Sequence, residues 1–445
     1  ETPFEMTESK TLYSRYGFPL LIAGIIIFRF LYSLTQEFWF PDEDVLQIYL
    51  IGLKSFTTHT YPYFGADLVY NGSQIPGALQ GYLVSAGWFI WKIPEAPYIV
   101  LNILLTLSLG FLAWYASKRL TDLSKVFIWV YVFLIPWSIC YFTRIVNPSH
   151  VIPGAVLFFI GIFEIYPPLR KNILPQWLSF FFLGFGIFWI FQLHMSWVLL
   201  GPFTAVAFYY LFRTKDIRSI AKNTGSFLAG CLVTGSLLIP TLVHFGLSSE
   251  KGKSVSGMVE LHLEHVGDVF KLLSTYLAYA SFDVTRFIGG NTDERMAFLS
   301  NYPWAAPFTI VVGIAGLAQA IFLLYHFFSR KKGDVMFRNV ALLALSGFLL
   351  FFFLSLFSKV DPPSHAAVLF FPLMILYSLY GLRKPLEKKW MKRIAGITFA
   401  SAVIMYSAIA LKNYSTISMY KNREVIVRAL EQDDYTLVGR RRYEK

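Results

Sequence analysis

Apolar runs of roughly twenty residues, separated by short loops that carry most of the charge, recur along nearly the whole of this chain and restrict its fold more than any other feature. Such a run matches the roughly 30 Å of hydrocarbon that a helix must cross in a bilayer. Inside that layer there is no water to bond the backbone, so each crossing segment has to satisfy its own N–H and C=O groups, which a helix does. Runs of this kind lie near 17–34, 97–116, 126–143, 150–168, 176–193, 196–212, 224–243, 304–328, 339–357, 365–382 and 394–411. The sequence thus predicts an all-α polytopic membrane protein with about eleven transmembrane helices. A content of 56% hydrophobic residues excludes an ordinary soluble domain. The first run follows Lys10 and Arg15, has no small-residue cleavage site after it, and reads as a retained helix.

Charge then sets the topology. Lys118, Arg119 and Lys125; Arg170 and Lys171; Arg213, Lys215, Arg218 and Lys222; Arg330, Lys331, Lys332 and Arg338; and the basic run from Arg383 to Arg393 fall in alternate loops. By the positive-inside rule these loops and the N-terminus are cytoplasmic, in a plasma or inner membrane. The formal charge of +12 resides in these loops and not in a basic patch interleaved with exposed aromatics, which argues against a nucleic-acid partner. The apolar run Ile75 to Trp91 would invert every later loop if it crossed. It therefore reads as an interfacial or re-entrant helix in a first external loop, about 35–96, where Gly77, Gly81 and Gly87 fit close packing.

A second large external loop spans about 244–302. Within it Phe270, Leu273, Leu277 and Ala280 recur at helical spacing, predicting an amphipathic helix on the outer surface. Ser248 to Gly257 and Gly289-Gly290-Asn291 read as hinges of a lid over a lipid-facing cleft. Residues 1–411 form the transmembrane unit, and 412–445 a short extracytoplasmic tail in which Thr436-Leu437-Val438 has strand character. Cys140 and Cys231 lie in apolar runs and give no disulfide framework.

The external mouths collect Asp42, Glu43 and Asp44; Arg144, Asn147 and His150; His194; and Lys359, Asp361 and His365. Carboxylates that take a proton from a hydroxyl, with cations and imidazoles that hold a phosphate, are what transfer from a phosphorylated lipid to an acceptor requires. The plain alternatives are a solvated acidic loop, a snorkelling Arg144 and satisfied helix-end histidines. His150 falls at a helix start, where free N–H groups favour an anion. Arg29, inside the first run, reads as snorkelling or paired with a buried polar group, and Glu164 as structural. Trp39, Tyr61, Tyr63 and Tyr70 offer ring faces to a sugar. Asn71-Gly72-Ser73 and Asn413-Tyr414-Ser415 fit the N-glycosylation pattern.

The stretch Pro41-Asp42-Glu43-Asp44-Val45-Leu46-Gln47-Ile48-Tyr49 resembles the first-loop acidic motif of the polyprenyl-phosphate-dependent glycosyltransferases of the GT-C fold, the group that includes protein mannosyltransferases and aminoarabinose transferases. Further likenesses follow in order. Ile75-Pro76-Gly77-Ala78-Leu79 through Trp91 is similar to the proline-led helix lying along the membrane, and Thr143-Arg144-Ile145-Val146-Asn147-Pro148 to the external arginine turn. Gln192-Leu193-His194 stands where many members carry a lysine, and Asp361-Pro362-Pro363-Ser364-His365 resembles the polar mouth of a late span. Pro76 lacks the basic or histidine residue and second proline of that family helix, and the tail is far shorter than the soluble domain of some members.

The resemblance implies a membrane glycosyltransferase that moves a single sugar from a polyprenyl-phosphate donor to an extracytoplasmic acceptor hydroxyl on a glycan, lipid or protein. It makes Asp42 the general base, Glu43 the residue that orients the acceptor or holds a cation, and Arg144, His194, His365 and His150 the holders of the donor phosphate. Asp44 completes an Asp-x-Asp spacing compatible with Mg²⁺ or Mn²⁺, although members using monophosphate donors often work without metal. A ligase or polymerase of lipid-linked glycans and a polytopic secondary transporter are the competing readings. A transporter should show two related halves and ionisable groups at mid-membrane, and the charges here crowd the loops with no internal repeat apparent.

Overall fold

A computed structural model of the chain describes residues 3–35, 43–68, 73–246, 261–328, 334–358, 365–416 and 419–438. The order begins with α1 (Pro3–Thr35), α2 (Glu43–Thr58), β1 (Phe64–Leu68), β2 (Ser73–Pro76), α3 (Leu79–Ser85), α4 (Ala96–Arg119), α5 (Lys125–Leu134), α6 (Asn147–Ile165), α7 (Gln176–Phe191), α8 (Gly201–Arg213), α9 (Ile217–Gly235) and α10 (Ile239–Phe245). It continues with α11 (Val269–Ala278), α12 (Thr285–Ile288), α13 (Thr292–Asn301), α14 (Ala306–Phe328), α15 (Val335–Ser355), α16 (Phe371–Leu382), α17 (Lys389–Thr416) and α18 (Met419–Glu431).

Among the described residues, eight helical segments are long and apolar enough to cross a membrane: Tyr16–Thr35, Ala96–Arg119, Asn147–Ile165, Met195–Arg213, Ile217–Phe245, Ala306–Phe328, Val335–Ser355 and Lys389–Tyr414. They fit an integral multi-pass membrane protein. The remaining three of the eleven expected runs are helical but shorter: α5, α7 and Val368–Leu382. Proline sets two of those limits. Ile135, ahead of Pro136, is forced into extended backbone (ψ 141°), which ends α5 after 10 residues, and the chain resumes as one π-helical turn, Trp137–Tyr141. Pro175 fixes the start of α7, which packs so tightly on α9 that a methyl group on Gly230 would lie 2.1 Å from the Phe181 carbonyl oxygen.

Loops gather at two ends, in the two groups that the charge pattern separates. At the basic end Lys171 Nζ donates to the Arg119 carbonyl (2.6 Å), Asn339 Nδ2 to the Pro168 carbonyl (3.4 Å), and Arg383 bridges Asp122 (3.3 Å) and Asp334 (2.5 Å). At the opposite end Ser33 Oγ donates to the Thr143 carbonyl (3.0 Å), Tyr61 Oη to that of Leu237 (2.6 Å), Thr241 Oγ1 to that of Tyr63 (2.8 Å), and His262 N to that of Leu356 (2.7 Å). Arg119, expected in a solvated loop, is instead buried: its guanidinium meets Glu164, Tyr380 Oη and the Leu169 carbonyl. Glu164 is structural, as read from the sequence, and also accepts from Tyr115 Oη (2.6 Å) and Ile173 N (3.0 Å).

Residues 75–91 do not form a span. They run from the antiparallel β1–β2 hairpin, where Phe64 faces Pro76, into the seven-residue α3 and a series of turns. The second large loop departs further from expectation. In α11 Phe270 is 80% exposed, but Leu272, Tyr276 and Leu277 are buried, and the chain from Tyr279 to Ser281 is sealed inside the bundle. Tyr276 Oη donates to the Ala344 carbonyl in the middle of α15 (2.8 Å), while the Ala280 carbonyl accepts from Gln319 Nε2 (2.8 Å) and Tyr131 Oη. The helix is amphipathic, as expected, with Phe270, Lys271 and Ser274 exposed, but its other face and the chain after it re-enter the bundle instead of lying along its surface. Irregular backbone at that depth persists because the surrounding side chains saturate it. Two helices make room: a methyl on Gly316 would lie 2.3 Å from the Phe282 carbonyl, and one on Gly347 would lie 2.6 Å from Tyr276 Oη.

Asn291 caps α13 by accepting from Glu294 N (2.9 Å), and Gly290 N donates to Glu294 Oε2 (2.8 Å), so this turn is a built helix start; Ser248 to Gly257 lie outside the described residues. In the tail Tyr435–Leu437 is a 3₁₀ turn capped by Asp434, not a strand. The tail is tied down by Lys54 over the Tyr435 ring (5.6 Å) and by an Arg423–Glu95 ion pair.

Candidate functional site

The arginine turn is the junction of the end opposite the basic loops. The chain leaves the π turn at Tyr141, passes Thr143 and the partly exposed Arg144, and enters α6 at Asn147. Ser33, two residues before the last residue of α1, donates to the Thr143 carbonyl and receives Asn102 Nδ2 (2.7 Å). This bond pins the turn to the end of the helix that leads toward the acidic motif. From the other side the His365 ring stacks on Tyr141, with centroids 6.0 Å apart and planes at 22°, and meets His194 edge to face at 6.3 Å. His194 and His365, separate in sequence, thereby meet beside Tyr141, and Arg144 follows three residues later with its N–H donating to the Tyr141 carbonyl (3.1 Å).

His194 has a defined protonation state. Its Nδ1 accepts from Ser196 N (3.2 Å) in capping the 3₁₀ turn Met195–Leu200, with Ser196 Oγ at 2.8 Å, so the ring proton sits on Nε2. Burial first, and then the neighbouring His365, pushes its pKa down to about 3. At neutral pH His194 is therefore an uncharged N–H donor.

Asp42, Trp39, Tyr70, Lys359 and Asp361 lie outside the described residues. Glu43 is the first residue of α2, and Asp44 stands in its first turn with an exposed side chain. Buried Val45, Ile48, Tyr49, Leu53 and Phe56 hold α2 against the bundle, and Tyr49 Oη donates to the Pro94 carbonyl (2.9 Å). Among the described residues no three His, Cys, Asp or Glu side chains come together as a metal site, so the Mg²⁺ or Mn²⁺ expectation rests on Asp44 and its undescribed neighbour Asp42.

His150 is not part of the mouth. It is 1% exposed, with Nδ1 3.2 Å from the Val146 carbonyl and 3.3 Å from Gln80 Nε2, and its own carbonyl accepts from Trp189 Nε1 (2.7 Å). It joins α3 to α6 and α7 where an anion at the helix start was expected. Arg29 is fully buried, bonded through Nη1 to Ser138 Oγ and set 5.6 Å over the Phe133 ring, as the reading of a buried pairing anticipates. Tyr61 and Tyr63 serve the hairpin: Tyr61 reaches the Leu237 carbonyl, and Tyr63 stacks on His244 (5.2 Å, 16°). The residues that organise the mouth, Tyr141 and Ser33, gave no signal in a chain where 18% of residues are aromatic and serines are frequent in spans.

Compared with known proteins, the chain matches no family model, no curated protein and no solved structure.

Proposed function

We propose that this protein is a membrane glycosyltransferase that moves one sugar from a polyprenyl-phosphate carrier to an acceptor hydroxyl on the non-cytoplasmic face. The observation that supports the reading is the meeting of His194 and His365 at Tyr141, on the turn that carries Arg144, with the end of α1 bonded to the same turn through Ser33 and Thr143. A guanidinium and N–H donors, at a turn bonded to the helix end that precedes the acidic motif, are the equipment for a phosphate leaving group beside a base.

In this reading the Asp42 carboxylate takes the proton from the acceptor hydroxyl as its oxygen forms a bond to the anomeric carbon. The bond from that carbon to the phosphate oxygen breaks, and the electron pair leaves with the lipid phosphate, inverting the configuration. Arg144 balances the phosphate charge, and His194 donates through Nε2–H. Phosphate leaves without a proton, so one base suffices. Glu43 orients the acceptor. The lipid tail lies in the membrane beside the mouth, and the sided distribution of basic loops puts the reaction outside the cytoplasm.

The test is transfer from a labelled polyprenyl-phosphate sugar by purified protein in detergent. Asp42→Asn is expected to lower the rate by about 10²–10⁴-fold with an unchanged melting midpoint. Parental transfer by the folded variant removes Asp42 as base, and absence of transfer by the parent with any polyprenyl-phosphate sugar removes the enzyme reading in favour of transport.

A further inference from the structure

At the basic end, away from the Arg144 mouth, a cavity of about 600 Å³ opens between α5, α14 and α17. Its rim carries Lys384, Lys388 and Trp390, and its wall descends along α17 as far as Phe399, nine residues or about 14 Å of helix. That depth is half the hydrocarbon thickness, one leaflet. The floor is closed by the re-entrant segment through Phe282 and by Gln319, whose amide donates to Tyr131 Oη (2.7 Å), the Ala280 carbonyl (2.8 Å) and Ser378 Oγ (3.0 Å). The polar groups at depth are thus engaged with one another, and what the cavity offers an occupant is hydrocarbon wall.

The rim has the opposite character. From Arg383 to Arg393 the sequence holds six basic residues, Arg383, Lys384, Lys388, Lys389, Lys392 and Arg393, against the single acid Glu387. Lys384, Lys388 and Trp390 are exposed. A greasy slot one leaflet deep beneath paired lysines and an interfacial tryptophan matches a lipid whose headgroup is anionic.

We propose that this groove is a binding site for an anionic glycerophospholipid of the leaflet at the basic end, with one acyl chain lying between α14 and α17 and the headgroup phosphate held by Lys384 and Lys388. The site is independent of the transfer reaction and lies in the other half of the molecule. Its occupant would pack against Phe282 and so brace the re-entrant segment from the side.

Native mass spectrometry of the purified full chain, given equal amounts of phosphatidylglycerol and phosphatidylcholine of the same chains, tests it. The parent is expected to retain one phosphatidylglycerol in preference to phosphatidylcholine. K384Q/K388Q is expected to weaken that preference roughly twenty-five-fold, about fivefold per lysine. A395W, which fills the slot, is expected to lose the adduct of either lipid; should it not fold, the double lysine variant decides alone. Equal retention of the two lipids by the parent, or an undiminished preference in folded K384Q/K388Q, overturns the proposal. Displacement of phosphatidylglycerol by equimolar polyprenyl phosphate overturns it too, and makes the groove a carrier site.

Discussion

Arg119 Nη1 lies 3.0 Å from Glu164 Oε1, and neither side chain is exposed. The pair crosses from α4 to α6 at the basic end, and each partner is saturated: the guanidinium by Tyr115, Tyr380 and Leu169, the carboxylate by Tyr115 and the backbone of Ile173. Burying two charges is costly and is offset only when both are present, so removing one strands the other. Glu164→Ala is expected to cost about 3–5 kcal/mol, read as a large fall in melting midpoint and yield. The double variant Arg119→Met/Glu164→Leu, which strands nothing, is expected to recover most of the loss. A Glu164→Ala variant as stable as the parent would show that the pair is dispensable.

The same pair marks how far sequence carries. Apolar run length located the eight long apolar helices, because in hydrocarbon the backbone leaves few options. Run length does not report burial at a span's edge, so Arg119 read as a loop cation. The re-entrant segment is legible only in part for a related reason: spacing at Phe270, Leu273 and Leu277 identifies an amphipathic helix but not whether lipid or protein covers its apolar face. At the mouth, Arg144, His194 and His365 were legible as polar groups interrupting apolar sequence. Tyr141, which stacks on His365, and Ser33, which bonds the turn at Thr143, resemble dozens of other span residues. His150 shows the converse, a polar residue at a helix start that is buried, with Gln80 and the Val146 carbonyl at its Nδ1.

The re-entrant segment is closely approached at Gly316 and Gly347, which makes the glycines of α14 unequal. A methyl on Gly316 meets the Phe282 carbonyl carbon and oxygen at 2.3 Å, backbone that cannot rotate away, whereas one on Gly313, a turn earlier on the same helix, meets nothing within 4 Å. Gly316→Ala is therefore expected to destabilise by about 1–3 kcal/mol. Gly313→Ala is expected to be neutral or stabilising by about 0.5–1 kcal/mol. Thermal unfolding of both in one detergent checks this, and equal midpoints would refute the packing argument.

His194 links stability to pH with a definite sign. Its pKa, about 3 when folded against an ordinary 6.5, means that the unfolded chain takes up a proton below about pH 6.5 that the folded chain refuses. Stability from this residue is therefore full above pH 6.5 and lost as pH falls toward 3. His194→Gln is expected to flatten part of the decline in melting midpoint between pH 7 and about pH 4.5. Because the ring stays neutral, donor binding gains nothing from His194 on acidification from pH 8 to about pH 6. A slope unchanged in the variant would place the titration elsewhere.

Replacing Asp42 and Asp44 one at a time distinguishes the proposed base from the proposed metal ligand within one motif. Asp44 projects from the first turn of α2 with its carboxylate exposed, while the helix behind it is fixed by Tyr49 and Phe56. If a divalent ion bridged Asp42 and Asp44, replacing either would cost transfer alike, and a chelator would mimic both. If the phosphate charge is balanced by Arg144 and directed N–H donors, Asp44 is peripheral. The expected result is that Asp44→Asn keeps transfer within about twofold of the parent and that EDTA does not lower it. Arg144→Gln is expected to lower transfer by about 10²–10³-fold, the cost of losing one preorganised donor to developing charge. A loss on EDTA that added Mg²⁺ or Mn²⁺ restores, with Asp44→Asn as impaired as Asp42→Asn, would hand the phosphate from the arginine turn to a metal.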